Sequence, residues 1–203
     1  MKNIFFLLFL GLTTQAFSQF GYGATANYNL YQRYTNPADV GKDSAGSALL
    51  NFGIGPKLWV GGEKFSFSAE ATANLGLLGF SVGDYKGLGM LAIPIVGHLN
   101  FGGLTNMGKE GKFGLVLGGG IQYNRTELYY TNNDFDELGG TRDYFRTIIL
   151  EGGYGFGMSG FSGYGILRYG WDPNSNANNF SIGLKFDFNI PKLKMITDPA
   201  SEL

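Results

Sequence analysis

Apolar residues alternate with polar or small residues along most of this chain. Between residues 65 and 77, phenylalanine, alanine and leucine occupy the odd positions, whereas serine, glutamate, threonine and asparagine occupy most of the even ones. The segment from Phe180 to Phe188 repeats this pattern, with lysine and aspartate among its polar residues. Because successive side chains of a β-strand point to opposite faces, each segment predicts a strand with one apolar and one polar face.

The alternation recurs in eight segments. An even number of strands lets an antiparallel sheet close on itself. Each segment is about 10 to 14 residues long, which is more than a usual strand needs but suits a tilted strand that crosses a bilayer. The pattern predicts an all-β fold, an eight-stranded antiparallel up-and-down transmembrane β-barrel. The eight segments lie near residues 20–32, 48–60, 64–78, 88–101, 112–124, 144–156, 161–171 and 179–189.

The predicted connections alternate in length. Short turns and long outer loops at opposite ends are typical of outer-membrane barrels and place both termini in the periplasm. One predicted turn, 102–111, is longer than this rule expects. The outer loops are predicted at 34–46, 79–86, 125–143 and 172–178, and the turns at 61–63, 102–111 and 157–160.

The N-terminus has the features of a signal peptide. Lys2 precedes the apolar run Ile4 to Leu12, and Ala16 and Ser18 supply small residues for cleavage before Gln19. After Phe188 the alternation stops, and we expect a disordered periplasmic extension. The predicted domains are therefore a signal peptide at 1–18, an outer-membrane β-barrel at 19–189 and a periplasmic C-terminal tail at 190–203.

Composition narrows the possible functions. Charged residues make up only 15% of the chain, the net charge is −1 and there is no cysteine. A nucleic-acid surface would need clustered, uncompensated basic residues, so no nucleic-acid partner is expected. A lipoprotein is excluded as well, because its lipid is attached to an N-terminal cysteine.

Aromatic residues near the segment ends suit interfacial girdles, in which the rings lie between lipid headgroups and hydrocarbon. We assign to these girdles Phe20, Tyr22, Trp59, Tyr123, Tyr129, Tyr130, Tyr169, Trp171, Phe186 and Phe188.

Placing the apolar faces outward puts a set of charged residues in the lumen. Their signs roughly balance, and the interior of an eight-stranded barrel is just wide enough to be filled by side chains. We therefore expect a polar lumen network, a buried set of salt bridges and hydrogen bonds; the alternative is a narrow pore for ions or small solutes. The predicted members are Lys57, Glu70, His98, Glu151, Arg168, Lys185 and Asp187.

No motif in the sequence predicts catalysis or a cofactor. His98 is the only histidine, and Ser66, Ser68, Glu70 and Glu151 could face it, but no sequence motif supports a hydrolase and we expect no enzyme. The acidic run from Asn132 to Glu137 lacks an EF-hand pattern, which favours a solvated loop over a calcium site. The glycine clusters precede no helix, so they predict no phosphate site. No metal and no cofactor are therefore predicted.

Several features together resemble the PorT-like outer-membrane β-barrel family of Bacteroidota-type bacteria. They are Ser18-Gln19 at the predicted cleavage site, the glycine- and tyrosine-rich strands, the segment Leu91 to Ile95 running to Asn100-Phe101-Gly102, and the phenylalanine-rich last strand. The resemblance covers nearly all of the mature chain. It implies export to the outer membrane of a Gram-negative cell and permits a role in secretion or envelope assembly.

From these features we expect a structural or interaction protein of the cell envelope. Its expected partners are outer-membrane lipid and an envelope or extracellular protein that contacts the outer loops. A pore is the second hypothesis. A secreted lipocalin-like barrel that binds an apolar ligand is the third, because that fold would put the apolar faces inward.

Overall fold

A computed structural model of the chain describes residues 19–37, 44–83, 87–108, 110–130 and 143–197. The predicted signal peptide and the acidic run at 132–137 lie outside these residues. The described elements are β1 (Gln19–Thr35), β2 (Ser44–Gly61), β3 (Phe65–Ala71), β4 (Ala73–Gly83), β5 (Gly87–Gly102), β6 (Lys112–Tyr130), β7 (Phe145–Met158), β8 (Phe161–Trp171), β9 (Asn178–Asn189) and the helix α1 (Ile190–Thr197).

The strands form one closed antiparallel ring. Apart from β3 and β4, each strand pairs with its neighbours around the ring, and β9 pairs with β1 to close the sheet. β3 and β4 are two halves of one wall strand, because both pair with β2 on one side and with β5 on the other. The halves meet at Thr72, whose N–H donates to the carbonyl of Pro94 at 3.1 Å. Pro94 has no N–H to return the bond. The predicted eight-stranded antiparallel barrel is confirmed.

The two faces of the wall differ in polarity. Apolar side chains such as Ile54, Leu77 and Leu150 are exposed on the outside, whereas the lumen holds buried asparagine, threonine, serine and charged residues. Trp59 is an exception to our aromatic assignment. It is completely buried in the lumen beside Lys57 and does not belong to an outer girdle, because it lies two residues along β2 from that inward-facing lysine.

The end of the barrel that carries the longer connections, here called the loop end, extends beyond the predicted strands. β1 continues to Thr35, β2 starts at Ser44 and β6 continues to Tyr130. Register shifts occur on this side, between Asn29 and Tyr31 in β1 and between Leu88 and Met90 in β5. Such bulges interrupt the two-residue period while strand pairing continues. The paired strands therefore extend farther toward the loop end than the alternating sequence pattern does.

The opposite end, here called the turn end, explains the long turn at 102–111. A short 3-10 helix, Gly103–Thr105, starts a segment whose residues Leu104, Thr105 and Met107 are fully buried. The Ser66 hydroxyl donates to the Thr105 carbonyl at 3.0 Å, and the Asn189 side chain donates to the Asn106 carbonyl at 2.9 Å. This turn is long because it folds into the mouth of the barrel and closes it.

Our expectation of a disordered tail is wrong for its first part. Ile190–Thr197 forms α1, which follows β9 without a break. The last residue of β9 anchors this junction, because the Asn189 N–H donates to the Gly160 carbonyl at 2.6 Å. The alternation stops after Phe188 because the backbone changes from strand to helix. Within the described ranges, no helix combines the length and hydropathy needed to cross a bilayer.

Candidate functional site

The seven charged or ionisable residues proposed for the lumen occupy one band across the middle of the barrel. All are buried, although they come from six different strands. Such burial of charge is costly unless every group has a partner. The band is formed by Lys57 on β2, Glu70 on β3, His98 on β5, Glu151 on β7, Arg168 on β8, and Lys185 and Asp187 on β9.

Lys57 is the centre of one half of this charged band. Its Nζ lies 2.8 Å from Asp187 Oδ2 and 3.0 Å from Glu70 Oε2. The Tyr164 hydroxyl lies 3.3 Å from the same Nζ and donates to Asp187 Oδ2 at 3.2 Å. The Lys57 ammonium also lies 5.6 Å from the centre of the Trp59 ring. Sequence analysis missed Tyr164 as a member, although its two-residue spacing from the buried Ser162 places both on the inward face.

Glu151 is the centre of the other half. Its Oε2 accepts from Arg168 Nε at 2.7 Å and lies 2.6 Å from Arg168 Nη2. Its Oε1 lies 2.9 Å from Lys185 Nζ and also bonds to His98 Nε2. Lys185 bonds to Glu70 as well, so it joins the two halves into one network.

Strand register accounts for two of these contacts. Lys57 lies directly opposite Glu70 in the pairing of β2 with β3, and Glu151 lies directly opposite Arg168 in the pairing of β7 with β8. Opposite side chains on one face of an antiparallel pair are close enough to interact. The contacts made by β9 instead cross the lumen, because Lys57 and Glu70 lie on strands that do not pair with it.

The charged band is electrically balanced by its permanent charges. Three cationic side chains, Lys57, Arg168 and Lys185, face the three carboxylates of Glu70, Glu151 and Asp187. Side chains from opposite walls meet across the lumen, as the small interior of an eight-stranded barrel predicts. The arrangement links the walls through charge-assisted hydrogen bonds.

Glu70, His98 and Glu151 also have the spacing of a metal site. One ligand atom from each lies within 4.8 Å of the others. Both carboxylates, however, already accept contacts from the ammonium group of Lys185. A cation at this position would be repelled by that ammonium and by Lys57, which lies on the other oxygen of Glu70. The residues therefore fit an ion-pair network better than a metal centre.

The serines that sequence analysis placed near His98 have other partners. Ser66 donates to the Thr105 carbonyl, and the Asn100 side chain donates to Ser68 Oγ at 3.0 Å. His98 Nε2 bonds to Glu151, while its Nδ1 has no hydrogen-bond partner among the described residues. No hydrogen bond between a serine hydroxyl and His98 occurs among the described residues, although Ser68 lies directly opposite His98 in the pairing of β3 with β5.

Layers of uncharged polar residues extend the network toward the loop end. The Asn27 side chain donates to Thr72 Oγ1 and to Asn74 Oδ1, each at 3.0 Å. Farther along, the Asn124 side chain donates to Thr147 Oγ1 at 3.1 Å. Sequence analysis did not name these residues, although asparagine at every second position, as in Asn27 and Asn29, is a usable signal for a polar lumen face.

Comparison with known proteins finds similar solved structures but no family. No family model matches the chain, and no curated protein matches it. The crystal structure of Neisserial surface protein A (NspA) is 12% identical, with a TM-score of 0.46, and the match covers 84% of this chain and 97% of that one. OprG, an outer-membrane protein of Pseudomonas aeruginosa, is 12% identical with a TM-score of 0.43, covering 83% and 97%. The N-terminal β-barrel domain of Pseudomonas aeruginosa OprF is 9% identical with a TM-score of 0.37, covering 83% and 99%.

The chain is similar to all three structures over more than four-fifths of its length. The strand pairings of this chain close the ring through β1 and β9.

Proposed function

We propose that this protein spans the outer membrane of a Gram-negative bacterium and acts as a structural or interaction protein of the cell envelope. A cleaved signal peptide exports it, its turn end faces the periplasm, and its loop end presents the contact surface for an envelope or extracellular protein. No enzymatic activity and no cofactor form part of this proposal.

The observation that carries the proposal is the contrast between the two faces of the wall. Side chains such as Phe52, Leu117 and Leu167 are more than half exposed on the outside, whereas Lys57 and Lys185 are completely buried inside. Exposed apolar surface on this scale is unfavourable in water but suits hydrocarbon, which also requires a closed sheet without free edges. The arrangement is the reverse of a lipocalin-like soluble barrel.

Aromatic residues support the proposed depth in the membrane. At the turn end, the rings of Phe65 and Phe101 lie 5.4 Å apart, as do those of Phe161 and Phe188. At the loop end, Tyr169 packs against Trp171 at 6.0 Å. Rings at both ends of an apolar wall match the two interfacial girdles of a membrane barrel.

The charged band disfavours the pore hypothesis. Lys57, Lys185 and Asp187 form direct contacts across the lumen and leave the carboxylates paired. We expect the purified barrel to show no steady conductance in a planar bilayer. A resolved, salt-dependent channel current would favour the pore instead. The resemblance to PorT-like proteins extends the proposal to secretion or envelope assembly, and this extension rests on sequence pattern alone.

Membrane fractionation combined with gel mobility tests the proposal. The full chain, expressed with its N-terminus intact, should appear in the outer-membrane fraction and should migrate faster before boiling than after boiling. The faster band reports a closed barrel that resists detergent. A protein found in the soluble periplasmic fraction, or one without the mobility shift, would contradict the proposal.

A further inference from the structure

Two arginines lie close together on the outer face of the wall at the loop end. Arg125 on β6 and Arg146 on β7 are both exposed. Tyr123 lies directly opposite Arg146 in the pairing of these strands, and the guanidinium of Arg125 lies 5.8 Å from the centre of the Tyr144 ring. The four side chains therefore form a square, here called the arginine square, with the arginines on one diagonal. Diagonal neighbours on paired strands are about 7 to 8 Å apart, which long side chains can bridge.

The arginine square lies just beyond the aromatic residues of the loop end. Trp171, which packs against Tyr169, is directly opposite Ile148. Arg146 is two residues farther toward the loop end than Ile148, which is about 7 Å along a strand. An aromatic girdle marks the boundary between hydrocarbon and headgroups, and the headgroup layer is about 5 to 8 Å thick. In the orientation proposed above, both guanidinium groups lie at the depth of lipid phosphates.

Neither guanidinium has an ion-pair partner among the described residues. The acidic group that Arg146 influences is Asp172, which is exposed. Hydrogen bonds from the Ser175 hydroxyl and the Asn174 N–H are the main causes that lower the pKa of Asp172. The positive charge of Arg146 lowers that pKa further but more weakly. The two arginines therefore leave positive charge available to an anion.

We propose that the arginine square binds the phosphate group of an outer-leaflet lipid of the lipid A type. A guanidinium presents its N–H donors in a planar fork that matches phosphate oxygens, and two such forks can bind different oxygens of one phosphate. The acyl chains of the same lipid lie along the apolar wall beside Ile148 and Leu150, which are exposed on the outer face. This assignment rests on the proposed function, because it requires the loop end to face the outer leaflet.

The chain offers a matched set of variants for this surface. Arg125→Gln combined with Arg146→Gln removes both charges and keeps polar side chains of similar length. Arg33→Gln is the control, since Arg33 is exposed on β1, on the far side of the barrel. Its partners on the two neighbouring strands are Ser47 and Phe180, so neither supplies a second arginine.

The experiment is calorimetric titration of the folded full-length chain in detergent with phosphorylated lipid A, with dephosphorylated lipid A and with sodium phosphate. We expect saturable binding of the phosphorylated lipid and binding of the dephosphorylated lipid that is weaker by about tenfold or more, as the loss of charged hydrogen bonds predicts. The double variant should lose binding to the same extent, and Arg33→Gln should bind as the wild type does.

Four results would overturn the proposal. They are a flat titration, equal binding of the two lipids, full binding by the double variant, and an equal loss in Arg33→Gln, which would indicate a general effect of surface charge. Sodium phosphate that binds as tightly as the lipid would identify a site for free anions and would overturn the lipid assignment too.

Gel mobility of each sample separates this proposal from the proposed function. A wild-type barrel that shows the fast unheated band but binds no lipid A would refute the arginine square and leave the membrane barrel standing. The double variant should also keep that band, so that lost binding reports the arginines and not an unfolded chain.

Discussion

His98 and Glu151 are hydrogen-bonded to each other although a complete strand, β6, lies between the strands that carry them. Their contact passes over Gly118, which is the cross-strand partner of both residues. A Cβ built on Gly118 would lie 2.3 Å from His98 Cδ2 and 3.1 Å from Glu151 Cγ. The absence of a side chain at this one position therefore allows β5 and β7 to meet inside the barrel.

This geometry makes Gly118 sensitive to a single methyl group. We expect Gly118→Ala to displace the imidazole and to lower the free energy of unfolding by about 1 to 3 kcal/mol, as overpacking and a lost buried hydrogen bond predict. Urea unfolding in lipid vesicles, followed by tryptophan fluorescence, measures the change. Gly152→Ala is the matched control, because its Cβ would lie 3.7 Å from the nearest atom on the outer face. Equal unfolding midpoints for the two variants would contradict the role given to Gly118.

Lys57 should be among the residues least tolerant of neutral replacement. Lys57→Met removes a positive charge that compensates the carboxylates of Asp187 and Glu70 in the lumen. Breaking a buried ion pair in this way lowers the free energy of unfolding by about 3 to 5 kcal/mol. Lys112→Met is the control, because its ion pair with Glu110 is exposed and should contribute little to stability. Both variants are compared by the temperature at which the fast gel band disappears.

A double variant distinguishes an unpaired charge from a simple loss of packing. Lys57→Met combined with Asp187→Leu removes both partners, and we expect it to recover most of the stability lost in the single variant. If the double variant is less stable than Lys57→Met alone, the contact between Lys57 and Asp187 is not the main reason that Lys57 matters.

The sequence predicts the middle of each strand well because the alternation there follows directly from burial. Glu70 and Lys185 occupy polar positions between apolar neighbours, so their inward direction can be predicted without a structure. Their partners cannot be predicted in the same way. The contact between Lys57 and Asp187 joins positions 130 residues apart, and it depends on closure of the ring and on the stagger of all the strands.

Two physical features of the strands explain where prediction and structure differ. Bulges such as the one between Asn29 and Tyr31 interrupt the two-residue period while backbone pairing continues. The predicted strands therefore stop short of the loop end. Aromatic residues are abundant in strands on either face, so residue type alone could not separate Trp59 in the lumen from Trp171 at the rim. The two-residue spacing of Trp59 from the inward-facing Lys57 places it inside, and the aromatic assignment did not use that spacing.

The segment that closes the turn end should contribute to stability through Leu104. This side chain is 1% exposed and packs with Val116 and Tyr164 inside the barrel. We expect Leu104→Ala to cost about 2 to 4 kcal/mol, because the closed mouth cannot collapse freely around the space left behind. The control Leu117→Ala changes a side chain that is 56% exposed on the outer wall, where lipid or detergent fills the gap. Urea unfolding should show the larger loss for Leu104→Ala.

The position of the membrane along the wall can be tested with arginine. Leu150 lies near the middle of β7 and faces outward, whereas Tyr144 precedes the same strand at the loop end and is also exposed. An arginine on the lipid face costs about 2 to 4 kcal/mol at the bilayer midplane and about 0 to 1 kcal/mol near the interface. We therefore expect Leu150→Arg to reduce folding into vesicles strongly and Tyr144→Arg to reduce it little, as measured by the yield of the fast gel band. Equal yields would mean that the apolar belt around Leu150 does not lie at the centre of a membrane, and the exposed leucines would then need a protein surface to cover them.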